Sequence, residues 1–166
     1  MLYLIKPLPD LDLVRKVKEG MARIIRELGE DEGGLSWVVE VNDDVPPFVI
    51  FSVLPKERPS SPCLVATCTV KVETKDRAKG GDIYIPNRKM RKRGIGTLLL
   101  KLILQCMKQK GISRIHGDLV PEDPNDLDWL KGFYEKWGAS VEIYAVKDPR
   151  RLKDPSTLGH VEWKLR

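Results

Sequence analysis

The stretch RKMRKRGIGTLLLK, residues 88–101, constrains this chain most. Its first six residues carry five cations, Gly94 and Gly96 follow, and an apolar helical pattern then begins. Positive charge is normally misplaced at a helix start. The first N–H groups there are unpaired, and the macrodipole adds roughly half a unit of positive charge. A strand, a glycine-bearing loop and a helix start in succession build an anion cradle from backbone N–H groups. Gly94 and Gly96 allow a tight turn and keep side chains out of the space an anion needs. An anionic guest would neutralise the cations that the helix end repels.

The rest of the chain sets the frame. With 166 residues there is room for one domain, 1–166, with a real core. Apolar content of 42% and charged content of 32% fit a globular chain. The longest apolar run, residues 98–104, is interrupted by Lys101 and is too short to span a bilayer. The opening MLYLIKPLPDLDL has neither a basic leader nor a small-residue cleavage site, so no signal peptide is expected. Cys63, Cys68 and Cys106 are odd in number and lack metal-ligand spacing, which reads as reduced thiols in a cytoplasmic protein and predicts no metal site. The net charge of +5 leans weakly toward anionic partners, and only residues 88–93 concentrate it.

Periodicity predicts alternating elements. Residues 2–5 read as a strand. Residues 10–28 read as helix, because Leu11, Val14, Val17, Met21, Ile24, Ile25 and Leu28 recur at helical spacing, with Gly20 as a point where it divides. Residues 35–41 and 48–54 read as strands, and 55–62 as a proline-bearing loop. Residues 64–73 alternate with a period of two. A basic loop, 74–81, leads to a short strand at 82–85. A helix is predicted over 97–110, stopped by Gly111, and a strand over 115–120. Asp123 and Pro124 open a second helix with the stripe Leu127, Leu130, Tyr134 and Trp137. The chain ends with strands at 141–146 and 160–165, joined by a loop over 147–159.

Two familiar phosphate loops do not fit. A Walker loop needs four residues between its glycines, and only Ile95 separates these. A dinucleotide fingerprint needs a third glycine where Leu99 stands. The run Arg91-Lys92-Arg93-Gly94-Ile95-Gly96 instead matches Arg/Gln-x-x-Gly-x-Gly/Ala. On this motif, on Ile83-Tyr84-Ile85-Pro86 before it and on Phe133-Tyr134-Glu135-Lys136-Trp137-Gly138 after it, the chain resembles the GNAT superfamily of acetyl-CoA-dependent N-acetyltransferases. The resemblance covers residues 80–166 and extends to 1–79 only in element order. It implies a mixed α/β fold, with a mostly antiparallel central sheet flanked by helices. It also implies that Arg91, Lys92, Arg93, Gly94, Ile95, Gly96 and Thr97 hold the diphosphate of acetyl-CoA, used as co-substrate, and that Ile83, Tyr84 and Ile85 face its pantetheine arm. The chain departs from the pattern by about two extra residues before Gly94. Leu127 stands where an asparagine is usual, so Asn125 or Asp126 is the substitute, and Ala139 replaces an aromatic.

The implied chemistry is direct transfer. A neutral amine attacks the thioester, a backbone donor from residues 83–85 stabilises the oxyanion, and Tyr134 protonates the leaving sulfur. Glu73 and Asp82 border the expected split and are the candidate bases. His116 and Asp118 share a strand face and are an alternative acid–base pair. The acceptor is expected to be a small-molecule or peptide amine, for a monomer or homodimer with no membrane partner. Specificity is expected near 10–34 and in loops 55–62 and 147–159, where Lys147, Arg150, Arg151 and Lys153 would favour an acidic acceptor. Two rivals remain: a non-catalytic acyl-CoA-binding module, and a nucleic-acid surface built on 88–93 with Lys75, Arg77 and Lys79 nearby. Sparse aromatics count against nucleic acid.

Overall fold

The computed structural model describes residues 14–18, 21–57 and 65–166. Nine described strands form one sheet: β1 (Val14–Lys18), β2 (Met21–Glu30), β3 (Ser36–Val45), β4 (Phe48–Pro55), β5 (Ala66–Val72), β6 (Arg77–Gly80), β7 (Arg114–Leu119), β8 (Ser140–Ile143) and β9 (Gly159–Lys164). Their order across the sheet is β1-β2-β3-β4-β5-β6-β7-β9-β8. Every neighbouring pair is antiparallel except β6 and β7, which run parallel. A parallel pair needs a long crossover, and this one is made by residues 81–113 with helix α1 (Ile95–Gln109). Helices α2 (Leu127–Lys136) and α3 (Pro149–Lys153) follow.

The sequence pattern explains most of these elements. In β5, Ala66, Cys68 and Val70 are buried while Thr69 and Lys71 are exposed, which is the period of a half-buried strand. In α1, Ile95, Leu99, Leu102, Ile103, Cys106 and Met107 form the buried stripe, and Lys101 and Lys108 stay exposed. That stripe packs against Phe51, Val53, Ala66, Val70, Ile115 and Trp163 in one core cluster. Gly111, at a φ of +84°, supplies the left-handed turn that ends the helix.

Residues 14–18 and 21–30 do not form the expected helix; they are β1 and β2. The reason is tertiary. The edge of β3 away from β4 carries N–H and C=O groups that need partners, and β2 supplies them from Ile24↔Val41 to Glu30↔Ser36. Apolar spacing in 10–28 fits a helix locally, but a ladder partner and β-branched residues such as Ile24 and Ile25 decide for strand. A bulge between Glu27 and Gly29 absorbs the register shift. Residues 77–80, expected in a basic loop, form β6: only Ala78 is apolar there, so no period was visible. Residues 82–85, expected as a strand, join the sheet through a single bridge between Tyr84 and Thr67. The expected strand at 2–5, residues 10–13 and 19–20 of the expected helix, Cys63 and most of the 55–62 loop lie outside the described residues. Among the described residues no helix is long and apolar enough to cross a membrane.

Candidate active site

The parallel pair is short, and its end creates the site. β6 and β7 pair only at Arg77↔Arg114, Ala78↔Ile115 and Lys79↔His116. Gly117 lets the backbones approach there, since a Cβ on it would lie 3.0 Å from the Gly80 carbonyl oxygen. Beyond Gly80 the chain follows β5 instead. The Gly81 N–H donates to the Thr69 carbonyl at 2.8 Å, and Tyr84 exchanges both backbone bonds with Thr67 at 2.9 and 3.0 Å. β7 meanwhile continues beside β9. The strands therefore part. Because Tyr84 directs its backbone groups to β5, its extended neighbours Ile83 and Ile85 direct theirs the other way, toward the split. Ile85 uses its carbonyl to accept a bond from Arg91 Nε at 2.9 Å. A cavity of about 30 Å³ lies in the split, lined among others by Cys68, Asp82, Ile83, His116, Asp118, Tyr134 and Trp163. That is enough space for a water molecule.

Five titratable side chains line this cavity, Cys68, Asp82, His116, Asp118 and Tyr134, and Glu73 lies beside it. Tyr134, on α2, packs edge-on against Trp163 with ring centroids 5.3 Å apart. Burial, then the nearby Asp82 and Cys68, pushes its hydroxyl up to about 12, so it stays protonated at neutral pH. Loss of hydration, then the charge of Asp118, raises the Asp82 carboxyl above its ordinary value. His116 Nε2 lies 2.8 Å from Glu73 Oε2, and Arg77 Nε is 3.4 Å from the same oxygen. The bond from His116 is the main reason the Glu73 carboxyl is held below its ordinary value. His116 and Asp118 share a face, but they are not a pair: Asp118 joins Lys79 at 2.8 Å, with His160 Nδ1 at 3.9 Å. Of the two candidate bases, Asp82 lines the cavity, and Glu73 reaches it only through His116.

The cradle follows in the chain, tied to the edge of the split by the Arg91–Ile85 bond. Lys92 (φ 60°) and Gly94 (φ +84°) turn the chain into α1. The first described helical bond of α1 is Leu98 N–H to the Gly94 carbonyl at 3.0 Å, and Gly94 offers no side-chain cap. The amides of Ile95, Gly96 and Thr97 thus precede the hydrogen-bonded ladder. Ile95 buries its side chain, so it offers only backbone. A Cβ on Gly96 would meet nothing within 4 Å, which leaves open space above these amides.

The cations divide. Arg93 is committed to Asp31, donating from Nε at 2.9 Å and Nη2 at 3.3 Å, and so fastens the loop to the β2–β3 turn. Arg91 forms a two-pronged pair with the exposed Glu122 at 2.9 and 3.2 Å. Lys92 is exposed and borders a surface groove with Arg88, Arg91, Glu122, Asp123 and Asp126. Asn125 does not line that groove; its amide donates to Asp123 Oδ1 at 2.9 Å. Asp31, Glu122 and the Glu73–His116 contact carry no motif, and their distance in sequence from their partners hid them. Arg150 is likewise occupied, by Glu142 at 2.6 Å and Asp148 at 2.9 Å.

Neither a sequence-family model nor a curated protein matches this chain. Solved structures do. A putative acyl-CoA N-acyltransferase from Klebsiella pneumoniae aligns with a TM-score of 0.54 and 13% identity, over 74% of this chain and 77% of that one. A GNAT family acetyltransferase from Elizabethkingia anophelis, with acetyl-CoA bound, aligns with a TM-score of 0.50 and 13% identity, over 72% and 77%. This chain has the GNAT fold. An IAA acetyltransferase from Bacillus cereus aligns over its whole length with 78% of this chain, at a TM-score of 0.54 and 13% identity. At such identities the GNAT fold is what is shared. It agrees with the mostly antiparallel sheet flanked by helices that the sequence motifs imply.

Proposed function

We propose that this protein is an acyltransferase that moves an acetyl group from acetyl-CoA to a primary amine. The observation that carries the reading is a combination of three parts: the uncapped amides at 95–97, the backbone of Ile83 and Ile85 directed away from β5, and the protonated Tyr134 hydroxyl on a side chain that lines the split with Ile83. The residues fit acetyl-CoA. Open space at Gly96 and uncapped amides suit a diphosphate, and Lys92 and Arg91 border a groove in the loop that leads into them. The Arg91–Glu122 pair is exposed, so a stronger anion displaces Glu122 easily. The Ile83 and Ile85 backbone suits an extended amide-bearing arm. Acetyl-CoA would supply an activated acyl carbon there. Tyr134 would give its proton to the departing sulfur, for which a hydroxyl that ionises only near 12 is correctly protonated. Asp82, raised by burial, remains a candidate to draw the proton from the amine, directly or through water. The acceptor is a small-molecule or peptide amine, and free buried thiols at Cys68 and Cys106 suit a cytoplasmic setting.

A nucleic-acid module is the weaker reading. Two of the basic-loop cations, Arg91 and Arg93, already have carboxylate partners, and Arg88, Lys89 and Lys92 are exposed, with no aromatic ring among the described residues stacked on them. An amine-panel assay following thiol release tests the transferase reading. Tyr134→Phe should lower kcat by about a hundredfold and leave acetyl-CoA affinity in place. Unchanged turnover would remove Tyr134 from the acid role.

A further inference from the structure

We infer that His116, positioned by Glu73, takes the proton from the incoming amine and acts across the sheet from Tyr134. This rests on the acetyl-transfer reading above. The cavity in the β6–β7 split is bounded by groups from both faces of the sheet. Tyr134 and Trp163 line it from the helix-bearing side, where Ile115 and Leu119 are also buried. His116 and Asp118 line it from the opposite side, since residues alternate along β7. The side chain of His116 is only 12% exposed, so its contact with Glu73 is held rather than casual. An ionised carboxylate can only accept, and Glu73 is kept ionised by its neighbours. Nε2 of His116 therefore carries the proton given to Glu73, and in the neutral ring the lone pair lies on Nδ1. The same bond makes Glu73 a poor proton acceptor in its own right, which leaves it the positioning role.

The charged and titratable groups on this face are Arg114 and Asp118 on β7, Arg77 and Lys79 on β6, Lys71 on β5 with Glu73 just after it, His160, Glu162 and Lys164 on β9, and Glu142 on β8. Asp118 is neutralised by Lys79 and is not a competitor. Asp82 is the competitor, because it lines the same cavity. An imidazole is the better match to neutral pH than a carboxyl. The balance is simple. The acceptor nitrogen bonds to the acyl carbon and gives one proton to His116 Nδ1. The carbon–sulfur bond breaks with its electron pair on sulfur, and Tyr134 gives sulfur a proton. Solvent then removes the proton from His116 and restores the one on Tyr134, so no net proton is gained or lost.

The test has two independent readouts. In the free protein, long-range ¹H–¹⁵N NMR should show His116 as the Nε2–H tautomer, and Glu73→Ala should turn it into a mixture. In assays with acetyl-CoA and a panel of spermidine, lysine amide and short peptides with free N-termini, His116→Gln should lower kcat about a hundredfold. It should also flatten the rising limb of kcat/KM against pH and leave the acetyl-CoA thermal shift intact. His116→Asn serves if the glutamine variant does not fold. Asp82→Asn should keep the rising limb. A wild-type Nδ1–H tautomer, normal turnover in the His116 variants, or loss of the limb in Asp82→Asn would each overturn the assignment. A wild type that transfers no acetyl group to any amine would overturn the transferase reading itself.

Discussion

At the scale of single residues, Asp31 does more than its position in a turn suggests. Its buried carboxylate accepts from Arg93, from Trp37 Nε1 at 3.0 Å, and from the amides of Gly33 and Leu35 at 2.8 and 3.1 Å. The Arg93 bond is the largest effect and outweighs burial, so the carboxyl is held well below the usual carboxylate range. A carboxyl with a folded value below its unfolded one stabilises the fold above about pH 4 and loses that effect as pH falls toward the folded value. Asp31→Asn should therefore melt several degrees lower at neutral pH, and its deficit against wild type should shrink below about pH 4. Thermal melts across that range check this; a deficit that does not change with pH would mean that the charge of Asp31 is irrelevant. The sequence marked Arg93 as part of a motif. It could not mark Arg93 as a fastener, because the partner lies 62 positions earlier in a turn without a motif of its own. Tyr134 is the opposite case. Its signature neighbourhood was visible, and its raised ionisation follows from packing that no local pattern encodes. A spectrophotometric titration should show one fewer phenolate forming near pH 12 in Tyr134→Phe.

At the scale of elements, legibility followed how local each cause was. Helix α1 was readable because one stripe of seven buried residues and a glycine stop lie within its own span. β5 was readable from strict alternation. β6 was not, since four residues with one apolar side chain carry no period, and its place is fixed by β5 and β7. The β1–β2 hairpin is hidden for a similar reason: the ladder it makes with β3 is a non-local fact. The cradle sits between a readable element and an unreadable one, which makes Gly96 a useful probe. It has an ordinary φ, and a side chain there would meet nothing. Gly96→Val should keep the fold and fill the space over the amides of residues 95–97. Acetyl-CoA affinity should fall at least about tenfold, or ~1.4 kcal/mol, with little change in the melting temperature of the free protein. Isothermal titration beside a thermal melt separates the two quantities; unchanged affinity would place the diphosphate elsewhere.

At the scale of the whole molecule, the question is what a net charge of +5 is for. Four cations in the loop, beside the split and on α3 already face carboxylates: Arg93 on Asp31, Arg91 on Glu122, Lys79 on Asp118 and Arg150 on Glu142 and Asp148. A ligand held by the amides of residues 95–97 and one or two exposed cations should then bind with a mild dependence on salt. A nucleic acid would bind through counterion release, which gives a steep one. Binding to the folded state alone adds about 2.7 kcal/mol at a hundredfold excess over Kd. For a chain of this length that is a rise in melting temperature of roughly 5–11 °C. Acetyl-CoA should produce it, and the shift should persist at 0.3 M salt, on the order of ten times the screening-limited low-salt condition. A duplex or single-stranded oligonucleotide at equal phosphate concentration should produce none. A shift with the oligonucleotide that vanishes in salt, and none with acetyl-CoA, would move the function from the split to the basic surface, because only there does diffuse charge outweigh a geometry of amides.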